Sequence, residues 1–521
     1  MKPRRLSLIL LLCLLGALPL AGAELVSLNA QGTAAANSGS FSASLSADGQ
    51  FVAFVSIATD LIPGGTPQFN VFVRNLQTGV TVLASVNAPP YVGIPTEPHL
   101  SADGRYVAYA RSTCTSVFCL DFAIFVRDLQ AGTTTLVSVD QNGMPGHAFG
   151  PAISADGRHV AFVGVGNNFV PNDTNGANDV FVRDLDAGIT RLASINAAGT
   201  ASGNGASSGP VLSADGRFVA FASDASDLVA GDGNGATDAF WRDLQTGTTR
   251  LVSINVAGTG SGTATLGAPS SSDLGISADG SRVSFVSGAS DLVVTDTNQN
   301  FDVFLRDLPD GPTRLVSIND TGTDSISGGG ARAFLTPNGR FVAFDSALGN
   351  SSVFLRDVDA GVTRLVSADS AGNPATGDSQ LFDRPGSFQV ASDDGRFVAF
   401  RSASALVNGV KNACEFEPCY QSYLRDLQTG ATTLLSVTPG GDANAIFGAE
   451  AGQISRDGRV VVFESMSPNL SRQLDANESS DVFSVGAPLP IPIGSVPTLS
   501  GAGLALLALM MAALGLWSLR R

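Results

Sequence analysis

The chain has 521 residues, a formal net charge of −16, 44% hydrophobic residues and only 15% charged ones. Low charge with high hydrophobicity excludes an intrinsically disordered chain. The acidic balance, with Lys2 and Lys411 as the two lysines, excludes nucleic acid as a partner, because phosphate binding runs on clustered Lys and Arg.

The N-terminus is an address. Residues 1–23 carry Lys2, Arg4 and Arg5, then an apolar stretch from Leu6 to Leu20, then Ala21-Gly22-Ala23 before Glu24. That order is a secretory signal with a small-residue cleavage site. An uncleaved anchor is the other reading, and either one exports the chain.

The body repeats. Ser-Ala-Asp-Gly or a variant recurs with its Asp at 48, 103, 156, 215, 279, 394 and 457, and Asn338 of Thr-Pro-Asn-Gly fills the one gap. Eight units result, at intervals of 53 to 64 residues. A length that suggests three or four domains at about 150 residues each therefore describes one repeated body. In each unit an apolar pair such as Val211-Leu212 precedes the Asp-Gly hairpin signal, and an alternating run such as Phe218-Val-Ala-Phe follows it. After a variable loop comes a third run, such as Asp179-Val-Phe-Val-Arg-Asp, and after a short turn a fourth, such as Thr190-Arg-Leu-Ala-Ser-Ile-Asn. Period-2 alternation of β-branched and aromatic residues between turn residues predicts four antiparallel strands.

The predicted fold is all-β: an eight-bladed β-propeller of four-stranded antiparallel blades over residues 24–487. The last unit stops at Asp481-Val-Phe-Ser-Val-Gly, one strand short, while Glu24-Leu-Val-Ser-Leu-Asn matches the missing strand. The N-terminal strand is therefore expected to complete the eighth blade and close the ring, which removes exposed sheet edges. These repeats resemble the WD40-like propeller repeats of the TolB type, whose Ser-Pro-Asp-Gly turn appears here as Ser-Ala-Asp-Gly. The resemblance spans about residues 24–487 and implies the fold. It does not choose a function, since that family runs from envelope binding proteins to propeller domains of peptidases. The separate N-terminal domain of TolB has no counterpart here, so the role of TolB is not carried over.

Four units share a loop pattern: Asp173, Asn175, Asp179; Asp232, Asn234, Asp238; Asp296, Asn298, Asp302; and Asp475, Asn477, Asp481. Oxygen groups at offsets 0, 2 and 6 on a tight loop suit calcium. The competing reading is that the Asx side chains satisfy turn backbone, which Asn-Gly at 175 and 234 favours. Calcium is the single cofactor expectation. Two other units carry cysteines in this loop, Cys114 with Cys119 and Cys414 with Cys419, while Cys13 leaves with the signal. In an exported protein two equally spaced pairs read as local disulfides, with zinc as the weaker alternative. Arg-Asp recurs in nearly every unit, from 127–128 to 425–426, and recurrence points to a shared structural job. Gly205-Ala-Ser207-Ser-Gly209 fits the nucleophile-elbow pattern but lacks the helix that the motif needs. His99, His147 and His159 sit near inter-blade connections without a nucleophile beside them, and Trp241 reads as packing. No catalytic residue is assigned.

The C-terminus is a second address. Residues 488–500 form a linker beginning Pro488-Leu-Pro490-Ile-Pro492, and 501–521 an uncharged 19-residue run before Arg520-Arg521. A helix of that length spans roughly 28 Å, enough for a bilayer core, with the arginines on the cytoplasmic side. Val496-Pro497-Thr498-Leu499-Ser500, the transmembrane helix and the basic tail together resemble the IPTL-CTERM sorting signal of Gram-negative bacteria, with valine for the leading isoleucine. The resemblance implies recognition by a sorting protease at the inner membrane and residence in the cell envelope or at the surface, anchored or released. The expected function is an exported binding or scaffold module for a protein, peptide or glycan, not an enzyme. A hydrolase or lyase centred on the channel and a structural matrix protein are the alternatives.

Overall fold

Alternation places one aromatic ring from the second strand of each unit opposite one from the third. In the fourth unit Phe221 pairs with Phe240 in the strand register, and their rings stack 5.9 Å apart. The same cross-strand pair recurs in all eight sheets, from Phe54–Phe72 to Phe463–Phe483. Such pairs add about 0.5–1.5 kcal/mol each beyond the area they bury, and they seat the core of every blade.

The structure, a computed structural model, describes residues 23–486 except 68, 87–95, 113–120, 167, 264–273, 320–324, 327–328, 347–350, 382–388, 410–417 and 442–443. Residues 1–22 of the expected signal sequence, the linker, Val496 to Ser500, the C-terminal apolar run, and Cys114, Cys119 and Cys414 lie outside the described residues. Among the described residues no helix is long and apolar enough to cross a membrane.

Eight four-stranded antiparallel sheets form the body. Blade 4 is typical: Ser207–Leu212, Phe218–Ser223, Asp238–Asp243 and Thr248–Leu251, paired in chain order. The eighth blade joins Gln453–Ile454, Val460–Ser465 and Asp481–Gly486 to the N-terminal Glu24–Leu25. Glu24 lies opposite Ser484 and Leu25 opposite Phe483, so the ring closes as the sequence predicts. The Ser27 hydroxyl donates to Asp481 Oδ1 at 2.5 Å across this seam, and Val26 N–H donates to Val482 O at 2.8 Å. The outer strands are shorter than predicted. In blade 3 the strand ends at Leu192, because Ala193 and Ser194 both direct their N–H groups to Val180 O and leave the ladder.

The Ser-Ala-Asp-Gly turns do more than reverse the chain. Ala47 N–H donates to Ala102 O of the next blade (3.1 Å), Ala102 to Ala155 (3.0 Å), Ala155 to Ala214 (3.0 Å) and Ala214 to Ala278 (2.9 Å). Ala278 donates to Pro337 O (2.7 Å), Asp393 to Arg456 (2.8 Å) and Arg456 back to Ala47 (3.0 Å). Pro337 has no N–H to give. The gap is filled by a side chain: Asn338 Nδ2 donates to Asp393 O at 2.5 Å. An unbroken hoop of eight hydrogen bonds thus encircles the mouth of the central cavity. It also explains why this one repeat carries Asn where the others carry Asp. Asn338→Asp removes the donor and faces a carboxylate to a carbonyl, so we expect a loss of about 1–2 kcal/mol in denaturant unfolding. Adding Pro337→Ala restores an N–H and is expected to recover part of that loss; no recovery would mean that the hoop contributes nothing.

The recurrent Arg-Asp pairs divide their work. Asp243 accepts Arg217 Nε at 3.1 Å and Nη2 at 2.7 Å, and also caps the following turn through Gln245 N–H at 2.9 Å. Arg217 lies 4.6 Å over the Phe218 ring. The preceding Arg242 instead donates to Thr249 on the outer strand at 2.6 Å. The same bidentate pair forms between Arg105 and Asp128 and between Arg396 and Asp426. The ion pairs are therefore mostly within blades. The bond from Arg217 is the chief reason that the Asp243 carboxyl falls to about 2.

Candidate functional site

The third strand of blades 3, 4, 5 and 8 begins beside a buried aspartate: Asp179, Asp238, Asp302 and Asp481. Each accepts the hydroxyl of a serine two residues past the end of the outer strand, Ser194, Ser253, Ser317 or Ser27. That serine oxygen in turn accepts the N–H of the next residue on the third strand, as Val180 to Ser194 at 3.0 Å. The loop before the strand brings a second carboxylate to the first. Asp173 is 3% exposed; neither of its carboxylate oxygens makes a hydrogen bond of normal length and angle, and the nearby Ser202 hydroxyl opposes the effect of its burial. Asp179 Oδ2 and Asp238 Oδ2 likewise make no such bond, whereas in blade 8 Asp481 Oδ2 accepts Asn477 Nδ2 at 2.9 Å. Burial pushes Asp179 up to about 7, the Ser194 hydroxyl opposes this, and the nearby Asp173 reinforces it. Asp481 is likewise pushed up to about 7 by burial, with Asp475 adding to it. Burial also raises Asp173, Asp232, Asp238 and Asp475.

The asparagines play a different part from the aspartates. Asn175 Nδ2 donates to Gly203 O, Asn234 to Gly262 O, Asn298 to Ile326 O and Asn477 to Ala36 O, at 2.7 to 2.9 Å. Each Oδ1 accepts the N–H two residues on. The amide therefore clamps the loop to the inter-blade connection through an Asx turn, as the turn reading expects. The next residue is left-handed in all four loops: Gly176 (φ 72°), Gly235 (67°), Gln299 (57°) and Glu478 (52°). Two non-glycine residues hold that conformation, at a cost of about 1 kcal/mol each, so the loop shape is imposed by its clamp rather than by glycine. Among the described residues no cluster of three or more His, Cys, Asp or Glu gathers as a metal cage.

A second feature departs from the repeat. The fifth residue of the second strand is apolar in blades 1 to 5 (Val55, Ala110, Val163, Ala222, Val286) but charged in blades 6 to 8 (Asp345, Arg401, Glu464). Arg401 and Glu464 border a cleft of about 550 Å³ between blades 7 and 8, with Tyr420, Phe447 and Met466 along its wall. Arg401 lies 4.8 Å over the Tyr420 ring, donates to Gln380 Oε1 at 2.7 Å and pairs with Glu450. Phe447 and Met466 stand 44% and 52% exposed, large apolar groups at the edge of a charged cleft. The sequence offered one signal for this site, the loss of the apolar residue after Phe-Val-Ala-Phe.

Residues 495–521 match the family model of the IPTL-CTERM motif. No curated protein matches the chain. Among solved structures it is similar to TolB from Acinetobacter baumannii, at 18% identity over 61% of this chain and 63% of that one, with a TM-score of 0.34. It is similar to a prolyl endopeptidase at 13% identity, over 85% of this chain and 55% of that one, with a TM-score of 0.45. Oligogalacturonate lyase from Vibrio parahaemolyticus shows 11% identity over 90% and 91% of the two chains, with a TM-score of 0.40. The chain spans less than two thirds of the length of the TolB and endopeptidase chains.

The remaining candidates disperse. His99 borders the central cavity of about 160 Å³, and burial lowers its pKa to about 4, which keeps the ring neutral. His159 stands against Gly216 of the next blade, and His147 lies 3.5 Å from Asp121. Ser207 of the Gly-x-Ser-x-Gly match is buried on the first strand of blade 4, where its hydroxyl bonds Ser223 at 2.9 Å. Trp241 packs between blades, stacked 4.9 Å from Phe218 with its Nε1–H donating to Gly280 O at 2.9 Å. Cys419 is buried, and Gln421 Nε2 donates to its sulfur at 3.1 Å.

Proposed function

We propose that the chain is an exported, envelope-sorted binding module that holds a peptide or glycan chain in the cleft between blades 7 and 8 without reacting on it. The carrying observation is the break in the repeat, where Val or Ala gives way to Arg401 and Glu464 beside Tyr420, Phe447 and Met466. Residues used eight times serve the fold, whereas Arg401, Tyr420, Phe447 and Met466 stand outside that repeat; Glu464 also fastens the wall, accepting Ala43 N–H at 2.9 Å. Tyr420 and Phe447 offer flat faces to sugar rings or side chains, and Arg401 and Glu450 offer directional hydrogen bonds. The sorting motif supports the location, with the loops of Cys114–Cys119 and Cys414–Cys419 stiffened by disulfides formed after export.

Two measurements test this reading. Titration of the exported chain with defined peptides and oligosaccharides is expected to give one saturable ligand class, weakened about tenfold or more by Tyr420→Ala. Turnover of any ligand in the same titration would replace the binding module with an enzyme. Deleting 495–521 is expected to release the chain from the envelope, and retention of that variant would defeat the sorting reading.

A further inference from the structure

The paired aspartates pose an electrostatic problem that the fold itself does not require. In blade 1 the inner position is Asn70, whose Oδ1 accepts the Ser85 hydroxyl at 2.8 Å. In blade 7 it is Gln421, which accepts Ser436 at 2.6 Å. A neutral amide therefore receives the serine as well as a carboxylate does. The outer position varies with the inner one. Aligning Asp60-Leu61 with Asp227-Leu228 sets Gly65 of blade 1 where blade 4 has Asp232. Where the inner residue became acidic in blades 3, 4, 5 and 8, an outer aspartate accompanies it. Adding a second carboxylate, buried at Asp173 and Asp296 and half-buried at Asp232 and Asp475, is unfavourable twice over, through desolvation and through like-charge repulsion. In blade 3 three buried oxygens, both of Asp173 and Oδ2 of Asp179, make no hydrogen bond of normal geometry, and the Ser202 hydroxyl and Asn175 amide near them offset only part of the burial. A cation turns both penalties into attraction.

We propose that the Asp173–Asp179 pair, and with it the pairs Asp232–Asp238, Asp296–Asp302 and Asp475–Asp481, each hold one calcium ion between the loop and the inter-blade connection. Two carboxylates balance the divalent charge. The remaining ligands are neutral oxygens, which suits calcium, because it accepts carbonyl and water ligands in irregular geometry where magnesium demands a near-octahedral shell. Asn175 Oδ1 keeps a lone pair for the ion while it accepts Ala177 N–H. The inferred affinity is that of extracellular modules, a Kd on the order of 10⁻⁴ to 10⁻³ M. The ion would fasten the same connection that Asn175 already clamps through Gly203 O, so loading tightens the joints between blades. This inference is independent of the cleft and its ligand.

Equilibrium dialysis of the exported chain at millimolar free calcium is expected to give one bound ion per loop, four in all. The Asp173→Asn, Asp179→Asn double variant is expected to bind one fewer. Its melting temperature in EDTA should be no lower than that of the parent, since it loses two unneutralised carboxylates, while its gain on adding calcium should be smaller. No bound calcium in the parent would overturn the proposal and would mean that each pair shares a proton instead. An unchanged number of ions in the double variant would overturn it as well. Should that variant fail to fold, Asp232→Asn with Asp238→Asn asks the same question in blade 4.

Discussion

Val26→Asp is expected to be the most damaging single substitution in the body, at about 5 kcal/mol or more, enough to unfold a domain of ordinary stability. Val26 is 1% exposed and sits in the wedge between the first and last blades, among Val52, Phe54, Phe72, Val462 and Val482. The substitution forfeits about 1.5–3 kcal/mol of apolar burial and forces a charge into a site with no counter-ion. It also frees the N-terminal strand, which bares the edge of Asp481–Gly486 to other chains. The denaturant midpoint should collapse and light scattering should show self-association. Glu24→Gln, on the exposed end of the adjoining strand Glu24–Leu25, is the control and should leave the midpoint in place. A Val26→Asp protein within about 1 kcal/mol of the parent would show that closure by the N-terminus does not hold the ring.

Gly280→Ala is expected to cost about 3 kcal/mol from two separable sources. Gly280 has φ +71°, and a Cβ there would stand 2.1 Å from Phe218 Cδ2. The left-handed backbone accounts for about 1 kcal/mol with a Cβ present, and overpacking for about 1–3. The Phe218 ring has no easy retreat, since Trp241 stacks on it at 4.9 Å and Arg217 at 4.6 Å. In a Phe218→Ala background the collision disappears and only the backbone strain remains. A double-mutant cycle should therefore report a coupling of about 2 kcal/mol. Additive losses would mean that the ring does not constrain the turn.

The architecture was legible because each blade spells the same strand order, and the seam was legible because Glu24-Leu-Val-Ser-Leu-Asn is the outer strand displaced to the other end of the chain. The hoop was not, since apart from the Asn338 amide it joins main-chain groups, most of them of alanines that look like filler. Its single textual trace is the Pro337-Asn338 variant, which makes sense only once the missing N–H is seen. In the Asp-x-Asn loops, spacing placed the oxygens together but carried no information on burial. It therefore could not tell the clamping amide of Asn175 from the buried carboxylate of Asp173. The Arg-Asp motif was rightly structural by its recurrence, yet its partner, the arginine after Asp-Gly, was invisible until the turn folded beside the third strand. The cleft escaped notice because repeat patterns direct attention to what recurs.

The hoop has one more implication. Its eight bonds all run in the same rotational sense, each turn giving a hydrogen to the next, and a cycle of that kind has neither a first nor a last member. The strand that completes blade 8 sets Glu24 directly opposite Ser484, but none of the eight bonds at the cavity mouth marks that place. New termini placed in any connection between blades, with the present ends joined, would leave every one of those bonds intact.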